Sequence, residues 1–498
     1  MTAPGLQPSE REFFNALDRV VYGNPFSDER VELIRRLVPG ATKEDLVADR
    51  VALARLVQPR LHRFADATAL GQLASEELRL VRSGFLYVCY HHHVLPIDRL
   101  IKGPTGPLDA STVERVARSV IRELTQCGIG EEEATRYFAL FFQLRRAFHF
   151  ILRSLTGNCE SMRGLRRALW DNVFTHDMRT FEAGLWGRME DFSTLLLGET
   201  GTGKGAAAAA IGRSEFIPYL PAKRRFAASF ADSFLAINLS QFPETLIESE
   251  LFGHKKGAFT GAIDQHQGVF ERCDAHGALF LDEIGEVPMA LQIKLLQVLQ
   301  DRTFTPLGSH EKKRFSGRVI AATNRPLDEL RHAGQFRDDF YYRLCSDVIL
   351  MPTLRQRIDE SAQELEDLVG LLVLRIAGPE NVQRRSFIME VIERDLPRDY
   401  RWPGNVRELE QAVRRILLTG RYTGDAAGVC GGEEDRLMES MRAGSLGAQE
   451  LLRWYCAMVH RRFGTYAEVA QRTGLDRRTA RKHVVDYELS VRSVPRNP

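Results

Sequence analysis

A glycine-rich loop at residues 198–204 constrains the fold of this chain more than any other feature. It follows the apolar run Leu195–Leu197 and precedes the alanine-rich stretch Ala206–Ile211. A strand, a glycine loop and a helix start therefore occur in the order in which backbone N–H groups and Lys204 surround the β- and γ-phosphates of a nucleotide. The predicted nucleotide-binding residues of this P-loop are Gly198, Glu199, Thr200, Gly201, Thr202, Gly203, Lys204 and Gly205. The pattern predicts an α/β core that binds ATP.

Two adjacent acids follow the P-loop at the end of another apolar run. Residues 278–281 are apolar and are followed by Asp282 and Glu283, as expected for a buried parallel strand that ends at a nucleotide. Asp282 is expected to hold Mg²⁺, and Glu283 to orient and deprotonate the attacking water. The alternative for such a pair is a solvated surface position. Gly205 replaces the Ser or Thr that usually holds Mg²⁺, so metal positioning must rely on other groups.

A third apolar run, Val319–Ala322, ends in Thr323 and Asn324. If it forms a neighbouring central strand, its end places a neutral hydrogen-bonding group beside the γ-phosphate, where it can sense hydrolysis. The alternative is an Asn that only terminates a strand in a turn. The order of the motifs along the chain favours the sensor.

A separate hexapeptide has an apolar tip between glycines. It consists of Gly257, Ala258, Phe259, Thr260, Gly261 and Ala262. The glycines permit sharp turns, and the preceding Lys255 and Lys256 indicate a segment that projects into solvent. The alternative is a tight turn whose Phe259 folds back into its own domain. The nucleotide motifs on both sides of the hexapeptide favour a loop that contacts a partner.

Together these motifs resemble the AAA+ activators of the bacterial sigma-54 RNA polymerase, the NtrC-type enhancer-binding proteins. The resemblance extends from about Ser193 to Leu409, a little under half of the chain. Further matching segments are Glu250–His254, Leu281–Gly285, Ala322–Asn324, Phe336–Arg337, Tyr342–Leu344 and Trp402–Leu409. The resemblance implies an ATPase that remodels sigma-54 RNA polymerase so that the promoter DNA opens.

The resemblance also implies roles for individual residues. Phe259 and Thr260 would contact the sigma factor, and Asn238 would be the switch partner of Glu283. Arg337 and Arg343 would be arginine fingers that reach the ATP of the next subunit, which implies a ring, by resemblance a hexamer. The predicted catalytic residues are therefore Lys204, Asn238, Asp282, Glu283, Thr323, Asn324, Arg337 and Arg343, and the lid arginine that contacts nucleotide is Arg407. For each arginine, a surface salt bridge is the alternative.

Two departures from this family stand out. Gly205 occupies a position at which these activators usually carry Glu. The segment Gly212–Ser233 is longer than expected between the P-loop helix and the next strand. Neither departure removes a predicted catalytic group, but both bear on the ATPase rate and on the metal geometry.

The C-terminal end is basic and has the pattern of a helix-turn-helix. Residues 451–498 contain ten Arg or Lys against four Asp or Glu, whereas the net charge of the whole chain is only +2. A helix, a turn at Gly474 and a second helix capped by Asp476 are predicted. The predicted DNA-binding residues are Arg477, Arg478, Thr479, Arg481 and Lys482. The pattern resembles the Fis-type DNA-binding domain of the same activators; the alternative is a basic hairpin that packs on the lid.

The predicted fold class is a multidomain α and α/β protein. The predicted domains are a helical regulatory domain (1–170), an AAA+ P-loop core with a parallel sheet (171–350), a helical lid (351–425), a linker (426–447) and a Fis-type helix-turn-helix (448–490). The chain has 498 residues, of which 44% are hydrophobic, enough for several globular units. Seven scattered cysteines without a CxxC pair, and no signal or membrane-spanning segment, predict a cytoplasmic protein without membrane partners.

Two other functions stay open at this stage. Gly205 would suit a DNA-binding repressor or scaffold that binds nucleotide but hydrolyses it weakly. A remodeller of some other protein could use the same ATPase core. The hexapeptide, Glu283 and the two finger arginines occur together, and a pure binder needs none of them, so the sigma-54 activator is the favoured prediction.

Overall fold

The computed structural model describes residues 5–40, 46–64, 70–102, 109–381, 383–424 and 447–492. The chain forms two compact units, Met1–Arg421 and Tyr422–Pro498. The predicted linker 426–447 lies outside the described residues except for Gly447. No helix in the described ranges is both long and apolar enough to cross a membrane.

A parallel sheet forms the centre of the larger unit. The strands in chain order are β1 (Thr194–Leu197), β2 (Tyr219–Leu220), β3 (Arg225–Phe226), β4 (Phe234–Asn238), β5 (Ala278–Asp282), β6 (Thr303–Phe304), β7 (Lys313–Arg314), β8 (Arg318–Thr323) and β9 (Asp347–Leu350). Within the described residues, the central sheet has five strands in the order β4-β5-β8-β1-β9, and each neighbouring pair is parallel. The pairs β2-β3 and β6-β7 are short antiparallel hairpins.

The strands are apolar without alternation because both faces of the sheet are buried. Successive side chains of a strand point to opposite faces. Leu195 and Leu279 accordingly pack in one core, and Leu196 and Phe280 pack in the other. Continuous apolar runs such as Leu195–Leu197 are therefore expected for these strands.

Helices form the whole described part of the N-terminal third, as predicted. They are α1 (Pro8–Tyr22), α2 (Asp28–Leu37), α3 (Leu46–Leu61), α4 (Ser75–Lys102), α5 (Ala110–Gln126), α6 (Glu131–Ser154), α7 (Glu160–Phe174) and α8 (Met178–Glu182). Phe14, Leu17, Leu53 and Leu80 belong to a separate core between the first helices. The predicted boundary between the helical domain and the ATPase core, at residue 170, falls inside helix α7. The division into these two domains stays a prediction.

The remaining helices of the larger unit surround the sheet and continue beyond it. Around the sheet they are α9 (Lys204–Gly212), α10 (Glu244–Phe252), α11 (Val269–Arg272), α12 (Met289–Asp301), α13 (Leu327–His332) and α14 (Asp338–Leu344). The region predicted as a lid contains α15 (Leu354–Glu360), α16 (Gln363–Ala377), α17 (Arg384–Asp395) and α18 (Asn405–Thr419). Helix α9 approaches the sheet closely, because a Cβ on Gly212 would lie only 2.5 Å from the Phe234 ring.

Helix α6 attaches the N-terminal helices to the end of the P-loop helix α9. The amide of Gln143 donates to the carbonyl of Ser214 at 2.9 Å. The fully buried Arg146 guanidinium donates to the carbonyls of Arg213 and Glu215 at 2.8 and 2.7 Å. These carbonyl groups lie just after the C-terminus of α9, where the helix offers them no N–H donor and a positive charge is favourable.

The unexpectedly long segment Gly212–Ser233 also packs on α6. It contains the β2-β3 hairpin, and Phe226 of β3 stacks on Phe142 of α6 with ring centroids 4.3 Å apart. Phe138 contacts the same ring at 5.5 Å. The extra chain length thus supplies the surface on which the helical region is seated.

The smaller unit contains three described helices. They are α19 (Ala448–Phe463), α20 (Tyr466–Thr473) and α21 (Arg477–Arg492). Cys456 and Val469 share a small core with Ala480 and Val484. Together with the parallel sheet and the helical regions of the larger unit, this arrangement confirms the predicted fold class.

Replacing Arg146 by Met should destabilise the larger unit, because the Arg213 and Glu215 carbonyls would lose charged donors in a buried place. A loss of about 3 kcal/mol in the free energy of unfolding is expected. Urea unfolding followed by circular dichroism would measure it. Arg153→Met, on the exposed surface of the same helix, is the matched control and should change stability by less than about 0.5 kcal/mol. Equal unfolding midpoints for the two variants would contradict a bracing role for Arg146.

Candidate nucleotide site and partner-binding segments

The P-loop turns between the end of β1 and the start of α9 by means of left-handed glycines. Gly201 and Gly203 have φ of 81° and 97°, a region that disfavours other residues. A Cβ on Gly201 would also collide with the carbonyl oxygen of Gly404. The loop therefore ends with free N–H groups at the N-terminus of α9, the geometry that binds phosphate.

Lys204 lies buried against this loop. Its Nζ donates to the carbonyls of Gly198 and Glu199 at 2.8 and 3.1 Å. Burial lowers the pKa of Lys204, and the nearby carboxylates of Glu283 and Asp282 act in the opposite direction. The ammonium group is thus held where a phosphate could exchange with the two carbonyls.

The two acids lie at the carboxyl end of β5, an inner strand of the sheet between β4 and β8. Asp282 pairs in register with Asn238 of β4 and with Ala322 of β8. Glu283 has a φ of 57°, and its backbone N–H donates to Asp282 Oδ1 at 3.1 Å. The strand ends at this left-handed turn, and both residues line the same cavity.

The carboxyl group of Glu283 is poised to accept a proton. Burial raises its pKa, and the charge of Asp282 adds to the rise, whereas Lys204 opposes it. Its Oε2 is buried and has no hydrogen-bond partner in the described residues. A carboxylate with a raised pKa and a free lone pair suits a general base that acts on water.

A cavity of about 390 Å³ joins these groups. The predicted site residues that line it are Thr200, Gly201, Thr202, Gly203, Lys204, Gly205, Asp282, Glu283 and Arg407. The structure therefore brings the P-loop, both acids and the lid arginine together, although they are up to about 200 residues apart in sequence. Its donors and its size fit the phosphates of ATP.

The donors for Mg²⁺ are few. A Cβ on Gly205 would lie 3.9 Å from the Phe280 ring, so the position has room for a side chain but offers no ligand. The hydroxyl of Thr202 is engaged with the carbonyl of Glu199 at 2.8 Å. The carboxylates among the described residues that line the cavity are Asp282, Glu283 and Glu410. Asp282 lies at the strand end near Lys204, which suits its predicted role as metal ligand.

The predicted sensor residues lie at the same edge of the sheet. Asn324 donates from Nδ2 to the hydroxyl of Thr200 in the P-loop at 2.8 Å. Thr323 is fully buried and accepts from the backbone N–H of Arg325 at 3.1 Å. Asn238 accepts from the backbone N–H and the hydroxyl of Ser240, and no hydrogen bond joins it to Glu283 within the described residues. The predicted Asn238–Glu283 switch stays a prediction.

Asn405 ties the helical region after the sheet to the P-loop. This buried residue has a φ of 52° and donates from Nδ2 to Glu199 Oε2 and to the Thr200 carbonyl, at 3.1 and 3.0 Å. Its Oδ1 accepts from the N–H of Leu354 at 2.8 Å. Arg355 adds an ion pair to Glu199, which lowers the pKa of that carboxyl.

Several residues of the cavity wall carry no sequence signal that points to nucleotide. Ser154, Leu155 and Thr156 enter the cavity from the end of α6. Arg357 and Arg375 add positive charge from α15 and α16. Arg357 is also buried and pairs with Glu364 at 2.8 Å. Because these residues come from distant helices with no motif of their own, only the fold reveals them.

The two predicted arginine fingers lie outside this cavity. Of the described residues that line it, the cationic ones are Lys204, Arg357, Arg375 and Arg407. Arg337 forms a bidentate pair with Asp339 at 2.9 and 2.7 Å. Arg343 donates to the carbonyl of Leu299 at 3.0 Å. Neither guanidinium completes the nucleotide site of its own chain.

The hexapeptide 257–262 forms a tight, largely exposed turn. The Gly257 N–H donates to the Ala262 carbonyl at 2.9 Å, and Gly257 and Gly261 have φ of 81° and 106°. Thr260 is exposed, whereas Phe259 is half-buried with its ring 4.9 Å from that of His254. Phe259 thus rests on the base of its own loop, and the contact of this loop with a partner stays a prediction.

Comparison with known proteins agrees with this geometry. Residues 182–349 match the family model described as "Sigma-54 interaction domain". This segment belongs to the sigma-54 interaction domain family. The predicted resemblance is thereby confirmed for the part of the chain that contains the sheet, the acids and the hexapeptide.

Curated relatives match the same region. The chain is 40% identical over 242 residues to the Nif-specific regulatory protein of Azotobacter vinelandii, covering 48% of this chain and 42% of that protein. It is 43% identical over 235 residues to the DNA-binding transcriptional regulator NtrC of Rhizobium meliloti, covering 47% and 44%. The sigma54-dependent transcriptional regulator SfnR of Pseudomonas fluorescens is 42% identical over 229 residues, covering 46% and 57%. The chain thus spans about half the length of the relatives it matches.

Among solved structures, NtrX from Brucella abortus in complex with ATP aligns with 76% of this chain and 86% of that chain. The sequence identity is 19% and the TM-score is 0.41. A likeness this low says nothing about the function of the present chain.

The C-terminal unit, which lies outside the sigma-54 interaction domain, has an exposed basic helix. Asp476 caps α21, because its Oδ1 accepts from the backbone N–H groups of Arg478 and Thr479 at 3.0 Å. Gly474 has a φ of 69° and makes the turn before it. Four predicted DNA-binding residues are exposed and Thr479 is half-buried; the exposed ones are Arg477, Arg478, Arg481 and Lys482.

Removing the Asn405 side chain should loosen the P-loop and weaken nucleotide binding. Asn405→Gly keeps a backbone that tolerates positive φ but loses three hydrogen bonds, and Asn405→Ala adds strain of about 1 kcal/mol. Both variants should bind a fluorescent ATP analogue at least about tenfold more weakly, since each buried bond contributes about 1 kcal/mol. The Asn405→Ala variant should unfold at a lower temperature than the Asn405→Gly variant. Thr419→Ala, at the far exposed end of the same helix, is the control, and binding unchanged in the Asn405 variants would contradict the clamp.

Proposed function

We propose that this chain is an ATP-dependent transcriptional activator that binds DNA and remodels sigma-54 RNA polymerase through the loop 257–262. The observation that carries the proposal is that the P-loop, Asp282 and Glu283 line one cavity and lie in the same sigma-54 interaction domain as a glycine-flanked hexapeptide with an exposed Thr260. A domain that only bound nucleotide would need neither Glu283 nor the exposed tip. The relatives named as sigma-54-dependent or NtrC regulators support the same assignment.

In the proposed reaction, ATP hydrolysis transfers the γ-phosphoryl group to water. The N–H groups of the P-loop and Lys204 hold the phosphates, and Lys204 leaves the carbonyls of Gly198 and Glu199 to do so. Glu283 takes the proton of the attacking water. When bound, Mg²⁺ neutralises phosphate charge, and Asp282 would hold it.

The site is proposed to be completed by a neighbouring subunit. Arg337 and Arg343 carry the motif positions of arginine fingers, yet both lie outside the cavity of their own chain. An arginine finger contributes roughly 10³ to 10⁵ in rate, so a chain without its neighbour should hydrolyse ATP very slowly. In a closed ring, by resemblance a hexamer, every nucleotide site would receive arginine fingers from the neighbouring subunit.

Hydrolysis is proposed to move the loop through α10. Asn238 at the end of β4 lies in register with Asp282, next to Glu283, and the chain then runs through α10 to Gly253. The hydroxyl of Ser249 near the end of α10 lies 2.7 Å from His254 Nδ1, and the His254 ring supports Phe259. A new contact between Glu283 and Asn238 would therefore shift α10 and release Phe259 from His254.

DNA binding is proposed for α21. Its exposed Arg and Lys side chains can contact phosphates and guanine edges. The N-terminal cap at Asp476 and the buried Ala480 and Val484 fix which face of the helix is exposed. This unit would hold the ring near its promoter.

A weakly hydrolysing DNA-binding scaffold is the second candidate, and Gly205 is the observation that favours it. The position offers no metal ligand where most P-loops supply a hydroxyl. Steady-state ATP hydrolysis decides between the two functions. A scaffold would show at most slow turnover, and its specific activity would not rise with protein concentration.

ATP hydrolysis should depend on contacts between subunits. Glu283→Gln and Arg343→Ala should each be nearly inactive alone, because one lacks the base and the other the finger. In an equimolar mixture, about one quarter of the random interfaces combine an intact Glu283 with an intact Arg343, so activity should return to about a quarter of the wild-type value. Phosphate release measures it, with specific activity also rising with concentration in the wild type. Mixed rings that stay silent, although both variants assemble and bind ATP, would contradict a shared site.

Changes in the exposed loop should separate hydrolysis from transcription. Thr260→Ala removes an exposed hydroxyl and leaves the nucleotide cavity untouched, so ATPase activity should stay while transcription from a sigma-54 promoter falls at least about tenfold. In-vitro transcription with purified polymerase measures the effect. Gln265→Ala, exposed just beyond the hexapeptide, is the control and should retain both activities. Full transcription by Thr260→Ala would favour a different target for the same ATPase.

A further inference from the structure

A cavity of about 600 Å³ lies among the N-terminal helices, away from the nucleotide site. Its walls come from α1 to α4 and α6 to α8, and from the segment between α1 and α2. Aromatic side chains dominate the wall; among them are Tyr22, Tyr87, Tyr90, Phe141, Phe148 and Trp170. A cavity of this size and composition suits a small organic molecule with an apolar body.

Two arginines in this apolar wall lack an acidic partner in the described residues. Arg30 donates from Nε to the Val20 carbonyl at 2.7 Å, but its Nη1 is buried without a partner. Arg50 has a buried, unpartnered Nε, and its guanidinium lies 5.6 Å from the centre of the Phe148 ring. Burial and the charge of Arg50 lower the pKa of Arg30 to about 10, so Arg30 remains charged near neutral pH. Burial lowers the pKa of Arg50 as well, and a guanidinium keeps its proton in proteins.

The other charged groups of the cavity are already engaged. Arg145 pairs with Asp98 through bonds of 2.7 and 2.8 Å. Glu182 accepts a hydrogen bond from the hydroxyl of Tyr137. Among the described residues that line the cavity, one carboxylate, that of Glu182, therefore remains against the guanidinium groups of Arg30 and Arg50, an excess of one positive charge. Buried charges are costly unless paired, so an anion is the missing component.

His91 provides a neutral polar group in the same wall. Its Nδ1 lies 2.8 Å from the Tyr87 carbonyl, which can only accept, so Nδ1 carries the proton and Nε2 is an acceptor. Burial, together with the nearby charges of Arg30, Arg50 and Arg145, lowers its pKa to about 3. His91 therefore does not add to the positive charge, but it can accept a hydrogen bond from a ligand.

We propose that this cavity binds a small organic monocarboxylate with an aromatic or other apolar body. Its carboxylate would pair with Arg30 and Arg50, which supply charged donors in a fork that matches two oxygens. Its body would lie against Tyr87, Tyr90 and Phe148. The ligand would thus bring the charge that the protein itself does not provide.

Helix α6 connects this cavity with the nucleotide site. Tyr137, Phe141 and Phe148 on one side of the helix line the cavity. Arg146, on another side, holds the carbonyls after the P-loop helix, and Ser154 at its end lines the nucleotide cavity. A carboxylate ligand bound in this cavity could therefore act as the signal of the N-terminal region. That regulatory role rests on the proposed ATPase function, but binding of the ligand to the cavity does not.

Titration calorimetry on the full chain tests the site with 1-naphthoate and its neutral isostere 1-naphthamide. The acid should bind once per chain and at least about tenfold more tightly than the amide, because the amide cannot form charge-assisted bonds. Arg50→Gln should bring binding of the acid down to that of the amide. Arg115→Gln, exposed on α5, is the control and should bind like the wild type.

Equal affinities for acid and amide, or no binding of either at millimolar concentration, would overturn the proposal. The comparison of acid and amide uses the wild-type chain, so it tests the proposed site even if the Arg50→Gln variant fails to fold. Val94→Trp, which fills the cavity, should abolish binding of both probes, and retained binding would place the probes elsewhere and also overturn the site. Calorimetry measures binding and does not require ATP hydrolysis. A chain that does not bind the carboxylate is therefore distinguished from a chain that does not hydrolyse ATP, because the second would release no phosphate.

Discussion

The parallel pairing of β1, β5 and β8 is the constraint on which the rest of the larger unit depends. Parallel strands end at a common edge, so the P-loop after Leu197, the acids after Leu281 and the sensor pair Thr323–Asn324 meet there without further design. Both faces of these strands are buried, which fixes the register through alternate side chains. A shift by one residue would turn Asp282 into the core and destroy the cavity.

Helix α6 is the second organising element, because it serves both the N-terminal cavity and the nucleotide cavity. Its Arg146 replaces the missing helical partners after α9, and its end forms part of the nucleotide wall. The long segment Gly212–Ser233 supplies the aromatic surface under it. The segment that departs from the sigma-54 activator pattern is thus the one that joins the domain to its N-terminal helices.

The motifs predicted nine of the residues that line the nucleotide cavity, since P-loops and strand-end acids depend on local sequence. The wall residues Ser154, Arg357 and Arg375 escaped prediction because they lie on helices whose sequence shows only amphipathic spacing. Phe259 was predicted to project freely, and the contact with His254 depends on the pairing of His254 with His266 and Leu307. Such contacts arise between segments that no periodicity connects.

The sequence by itself determined the strands β1, β5 and β8, the P-loop, the acids, the hexapeptide and the basic C-terminal helix, because each depends on neighbours within a few residues. Only the tertiary structure decided that Asn405 clamps the loop, that Arg337 and Arg343 lie outside their own cavity, and that Arg30 and Arg50 line one apolar cavity without an acidic partner among the described residues. Charge balance in a buried space is a property of side chains from several helices, and the linear order of residues does not record it.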